Sequence, residues 1–175
     1  MHFYSADTIA FASRAKLMRL LYYLDFIHYR DRGRSVTGLE YYAWEFGPVP
    51  RLLWNEWMTP EPDFRRRFKV VSKEFPIGKD LTLELRGKMD ESVFSSSEFN
   101  LIVDLAKKHF RDSPEEMDDK EHFEIGPWNQ IWNARRQHYA KIPYRTLFGT
   151  DNKDHERARA AHAYEKSVLA ERYGS

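Results

Sequence analysis

Asp25 and His28 stand three positions apart in the segment DFIH, a spacing that sets a carboxylate and an imidazole near one face of a helix. Such a pair could share a proton, but no third group accompanies it, and a structural hydrogen bond is the simpler reading. Metal ligation has two candidates, His155 with His162 and His122 with Glu124. Neither has the i, i+4 spacing that puts two imidazoles on one helical face, and no further ligand stands close by. The chain contains no cysteine, which removes thiolate zinc sites, thiol nucleophiles and disulfides. A nucleophile elbow and a Gly-rich phosphate loop are also missing. The residues therefore predict no catalytic site, no metal and no cofactor.

Residues suited to binding are easier to find. Tyr41, Tyr42, Trp44, Phe46, Trp54 and Trp57 form a dense aromatic set around Gly47-Pro48, and rigid aromatics dominate the energetics of protein interfaces. Strand alternation from Glu40 to Phe46 turns about half of them inward. Tyr42, Trp44, Phe46 and Trp54 are taken as contacts, together with Arg51 just past the turn. Gly47-Pro48 itself reads first as a chain reversal that the fold requires and second as a platform for the flanking aromatics. Arg65-Arg66-Arg67, beside Phe64 and Phe68, is either a solvated charged loop or a rim for phosphates or an acidic protein surface. Arg65 and Arg66 would then be the contact residues. The acidic run through Asp112, Glu115, Glu116, Asp118, Asp119 and Glu121 reads as a solvated face.

The elements that must position these groups follow from pattern. Leu17, Leu20, Leu21, Leu24 and Ile27 recur at helical spacing, with Met18, Tyr22, Phe26 and Tyr29 as a second stripe, so this helix is expected at the centre of the fold. Gly33 is placed to end it. Glu40 to Trp44 reads as a strand entering the Gly47-Pro48 turn, and Leu53, Trp54, Trp57 and Met58 as a helix stopped by Pro60. Phe68 to Ser72 and Leu81 to Leu85 are expected to pair as the only clear sheet, with Leu81, Leu83 and Leu85 inward and Thr82 and Glu84 outward. Ser95 and Glu98 form a capping-box pattern ahead of a helix whose inner face is Phe99, Ile102, Val103, Ala106 and Phe110. Ser113-Pro114 and Gly126-Pro127 open two further helices, the second carrying Trp128, Ile131, Trp132 and Arg135. Lys153 to Arg172 reads as a marginal amphipathic helix.

At 175 residues with 42% hydrophobic content, the chain has material for one domain and a core. The formal net charge of +1 supplies no long-range field, which counts against nucleic acid as a partner. The N-terminus shows no leader and no window approaches the roughly 18 apolar residues that span a bilayer, so no membrane association and a cytoplasmic location are expected.

Three blocks carry a family resemblance. Lys16, Leu20, Leu21 and Tyr22 open the first helix, with Asp25 and His28 behind them, and Gly33-Arg34-Ser35 breaks it. Ala43 to Val49 then holds the Gly47-Pro48-Val49 turn, and His122, Glu124, Pro127 and Trp128 follow near the end. In this order they resemble the Panacea, or SocA-like, antitoxin domain over about Lys16 to Tyr144. Lys16, Leu21, Tyr22, Gly47, Pro48, Val49 and Trp128 are the motif positions with an expected structural role. The resemblance implies a binding protein rather than an enzyme: an antitoxin that neutralises a cognate protein toxin by contact. Some SocA-like proteins are described as handing the toxin to a cytoplasmic protease, and others as phage-associated proteins without a known partner; a nucleic-acid-binding regulator is the alternative class. The expected fold is α+β, mainly α, as one domain over residues 1–150 of about six helices and a small antiparallel sheet. Residues 151–175 are expected to form an amphipathic C-terminal tail.

Overall fold

Ser13 starts the first helix, its Oγ accepting from the Lys16 backbone N–H at 3.3 Å, and α1 runs over Arg14–Arg32. It stops at Gly33, whose φ of 74° lets its N–H close back onto the Tyr29 carbonyl at 2.8 Å. The computed structural model describes residues 13–75, 78–120 and 126–148, with Glu156 and Ala160 as single helical residues beyond them. The predicted tail apart from those two residues, and the metal candidates His122 with Glu124 and His155 with His162, thus lie outside the described residues.

The helix is central, as its two stripes require, but the stripes exchange rank. Met18, Tyr22, Tyr23 and Phe26 are buried, whereas Leu17, Leu20, Leu21 and Ile27 are half-buried, and Leu24 alone of the leucine stripe is fully covered. The aromatic stripe faces the sheet, where large rings fill the space between layers.

Two small antiparallel sheets accompany the helices. In the first, β1 (Tyr41–Trp44) pairs with β2 (Gly47–Pro50), Trp44 opposite Gly47. On its other edge β1 pairs with β5 (Lys141–Ile142), Tyr41 opposite Ile142. Between these in sequence come α2 (Arg51–Met58), α3 (Pro62–Arg67) and the hairpin of β3 (Phe68–Phe75) and β4 (Gly78–Leu85). The two segments pair as expected, with Ser72 opposite Leu81. It is not the only sheet, and its alternation is broken at one place: Thr82 is as fully buried as Leu83. Asp80, on the Thr82 side of the hairpin, is bridged by Arg14 of α1 at 3.5 Å, so both faces of β4 are covered there. Met58, expected on the apolar side of α2, is largely exposed, and the Arg65-Arg66-Arg67 run is the last turn of α3 rather than a loop.

The capping box is complete: Ser95 Oγ accepts from the Glu98 N–H, Glu98 Oε2 accepts from the Ser95 N–H at 2.8 Å, and α4 follows over Ser96–Lys108. Its buried row is Glu98, Leu105 and then His109, rotated from the predicted Phe99 face, and Phe110 is half exposed. A second box, Ser113 with Glu116, opens α5 (Pro114–Lys120). This segment is not wholly solvated, for Met117 is fully buried and Asp112 is held against buried His109 at 2.9 Å. Gly126-Pro127 opens α6 (Pro127–Asn129), which widens into a π turn over Gln130–Ala134.

The chain is thus mainly helical with a small β part. Its core has two clusters. Tyr22, Phe26, Tyr41, Leu105, Ile131 and Ile142 centre one, and Met18, Val49, Trp57 and Leu83 the other.

Candidate functional site

The turn joining β1 to β2 is fixed from beneath. Trp128, at the start of α6, donates its indole N–H to the Trp44 carbonyl at 2.9 Å, and buried Arg19 of α1 donates to the Phe46 carbonyl at 2.9 Å. These bonds take up the carbonyls on either side of Glu45, so the reversal is held without help from solvent. Gly47 has φ of 118°, a backbone conformation that side-chain-bearing residues avoid. Pro48 follows and removes a donor from β2. Phe46, carried on this pinned backbone, is 81% exposed.

The neighbouring helix completes the surface. Arg51 lies over the Tyr42 ring at 4.4 Å, and one turn later Trp54 meets Trp44 with ring centroids 5.1 Å apart. Tyr42 and Trp44 share one face of β1 because strand side chains alternate, so α2 lays Arg51 and Trp54 along that face in parallel. Arg14 lies over the Trp54 ring at 4.4 Å. Together with α1 and the Gly78–Asp80 end of β4, the turn borders a groove of about 640 Å³. Its rim carries both signs of charge, Arg14, Arg19 and Lys79 against Glu45, Asp80 and Glu115.

Tyr42, Trp44, Phe46, Arg51 and Trp54 are therefore brought together. Arg65 and Arg66 are exposed on α3 and engaged locally, Arg65 with the Pro60 carbonyl at 2.7 Å and Arg66 with Asp63. Among the described residues no contact joins them to the aromatic surface. Reading the sequence missed Arg19, which looks like any helix-surface cation, and gave Trp128 no link to the turn.

Most of the motif positions are buried. Tyr22 is buried and its hydroxyl accepts from the Trp128 N–H at 3.2 Å, while Val49 and Pro48 are buried in β2. Lys16 is buried, its Nζ donating to the Phe110 carbonyl at 3.0 Å. Burial pushes its pKa down, against the opposing pull of Asp112 and Glu116. Leu21 is half-buried against the larger cluster.

Asp25 and His28 do not act as a pair. Asp25 is fully buried and accepts from the Val36 N–H at 2.8 Å, the Thr37 N–H at 2.7 Å, the Tyr41 hydroxyl at 2.8 Å and the Thr37 hydroxyl. Burial, and then the Asp25 charge, hold the Tyr41 hydroxyl far above its ordinary pKa. His28 turns Nδ1 to the Arg34 carbonyl at 2.8 Å, which makes Nδ1 the protonated nitrogen. Among the described residues no group of three or more His, Asp or Glu side chains is arranged to hold a metal ion. No helix among them is long and apolar enough to cross a membrane.

The fold is a mainly helical α+β domain in which Phe46 stands exposed on a backbone fixed by buried donors, beside the half-buried rings of Tyr42, Trp44 and Trp54. The chain belongs to the family described as antitoxin SocA-like, Panacea domain, whose model matches residues 17–129. That span holds α1 from Leu17 onward, the pinned turn and Trp128. No curated protein and no solved structure matches the chain.

Proposed function

We propose that this protein is an antitoxin that neutralises a cognate protein toxin in the cytoplasm by stoichiometric binding rather than by catalysis, with the turn around Phe46 as the contact surface. Family membership supports the class of function. The surface is supported by one observation above the rest: Phe46 is 81% exposed on a turn whose carbonyls are bonded to Arg19 and Trp128. An apolar ring left in water at such a rigid place loses little conformational freedom when a partner covers it, which is how interface anchors gain affinity. Tyr42, Trp44, Arg51 and Trp54 extend the surface on one side. Arg65 and Arg66 are demoted, since each already has a partner within α3 or just before it. Delivery of the toxin to a cytoplasmic protease would be a further step, and for this chain it rests on the family alone.

The test is co-expression with the protein encoded by the neighbouring reading frame, scored for restored growth and for a complex on a sizing column. Phe46→Ala should weaken the complex by about tenfold or more and change folding stability by about 0.5 kcal/mol or less. Normal affinity in that variant would remove the turn as the contact surface. Absence of both rescue and complex for the wild-type chain would remove the antitoxin reading. A protease step would show as a shortened half-life of the toxin when the two are co-expressed.

A further inference from the structure

We propose that the loop from Arg135 to Lys141 is a second contact surface, built to receive an acidic patch on a protein partner; that the partner is a protein rests on the antitoxin reading. From Ile125 to Thr150 the sequence contains no Asp or Glu, yet it carries Arg135, Arg136, Lys141 and Arg145 in a chain of net charge only +1. Lys141 is paired with Glu40 at 2.5 Å. Arg135 and Arg136 are exposed, and among the described residues neither makes an ion pair. The family match covers residues 17–129, so the loop lies outside the matched span.

The backbone here is strained and held. Arg136 has φ of 54° and Tyr139 φ of 62°, the positive-φ positions occupied by residues other than glycine among the described residues. A side chain disfavours that region, and such conformations persist where surrounding bonds over-determine them. The Gln137 N–H donates to the Ile131 carbonyl at 2.9 Å and the Tyr139 N–H to the Ala43 carbonyl at 2.7 Å. The Ala43 N–H returns a bond to the Ala140 carbonyl at 2.9 Å. The loop is therefore a stiff extension of the β1–β5 pairing that projects two guanidiniums and a tyrosine outward. Tyr139 is 61% exposed, and its ring meets Trp44 edge-on at 6.3 Å, which makes this surface continuous with the pinned turn.

A protein suits this surface better than a nucleic acid. Trp132 offers no free face for base stacking, since it is stacked by His138 at 4.0 Å and by Trp128 at 5.8 Å. Two unpaired arginines make too few phosphate contacts for tight binding to a strand, whereas Arg with Tyr is the composition of a protein hot spot. Opposite charge on the partner would steer association and set its register.

The decisive measurement maps amide shifts of the full chain on adding a short poly-glutamate peptide, and separately an oligothymidylate of equal length. The peptide should move the amides of residues 135–141 more than those of 65–67. That response should vanish in the Arg135→Glu/Arg136→Glu double variant, which should also bind the neighbour-encoded protein about tenfold more weakly. Arg136→Gly deletes one cation while relieving its backbone, and serves if the double variant folds poorly. A peptide that leaves the loop amides unmoved overturns the proposal, as does an oligothymidylate that binds there more tightly than the peptide. If the neighbour-encoded protein fails to bind the wild-type chain, the antitoxin reading falls, while the peptide titration still decides the loop.

Discussion

At Asp25 a single carboxylate organises the chain that leaves α1. It accepts from two backbone N–H groups, at Val36 and Thr37, and from the hydroxyls of Thr37 and Tyr41. A buried acceptor with this many donors is costly to remove, because each stranded donor keeps its desolvation penalty of about 1–3 kcal/mol. Asp25→Ala should therefore cost about 3 kcal/mol or more in a denaturant titration. Asp25→Asn should recover only part of that, since its amide NH₂ would face donors. A loss below about 1 kcal/mol in the alanine variant would mean that the segment after Gly33 is ordered by packing alone.

Among the elements, α4 offers a pH test. Burial pushes the Glu98 carboxyl upward, but bonds from the Ser95 N–H and hydroxyl, with Arg34 at 2.7 Å, outweigh it and leave the pKa below its ordinary value of 4.5. A carboxyl whose folded pKa is depressed adds stability above its unfolded pKa and loses it as pH falls through the folded value. Ser95→Ala should cost about 1 kcal/mol at neutral pH. The gap from wild type should narrow as pH drops below 4.5, and an unchanged gap would detach the box from Glu98 ionisation. In α1, burial ranks the leucines: Leu24→Ala should cost about 2–5 kcal/mol and Leu21→Ala clearly less. Equal losses in thermal melts would contradict the difference in their burial.

For the whole molecule, residues well past the family match still belong to the folded body. Ile142 is buried beside Tyr41, and Phe148 meets Tyr29 with ring centroids 6.1 Å apart. We expect truncation after Thr150 to leave cooperative unfolding intact, because the apolar seam of the remaining segment is thin, with only Ala161, Tyr164, Val168 and Leu169. We expect the same truncation to reduce partner binding, since an amphipathic tail can dock in a partner's groove. A broadened melt in the truncated protein would place the segment in the core instead.

Local signals legible in the sequence marked several elements, though not α3, β2 or β5. Gly33 ends α1, Ser95 and Glu98 cap α4, Gly126-Pro127 opens α6, and Phe68 to Ser72 pairs with Leu81 to Leu85 as expected. Each is a choice made among residues a few positions apart, where propensity and capping decide. The order of the motif blocks also determined the family. What tertiary structure alone decided involves partners far apart in the chain. Trp128 reaches the Trp44 carbonyl across 84 positions, and Arg19 reaches Phe46 across 27. No periodicity announces which cation will turn inward, or that two residues at Lys141–Ile142 will close the sheet. The cost of burying a donor is met only where the fold supplies an acceptor, so those pairings are settled when the chain packs. The same packing left Phe46 in water and set Tyr139 of the Arg135–Lys141 loop against Trp44.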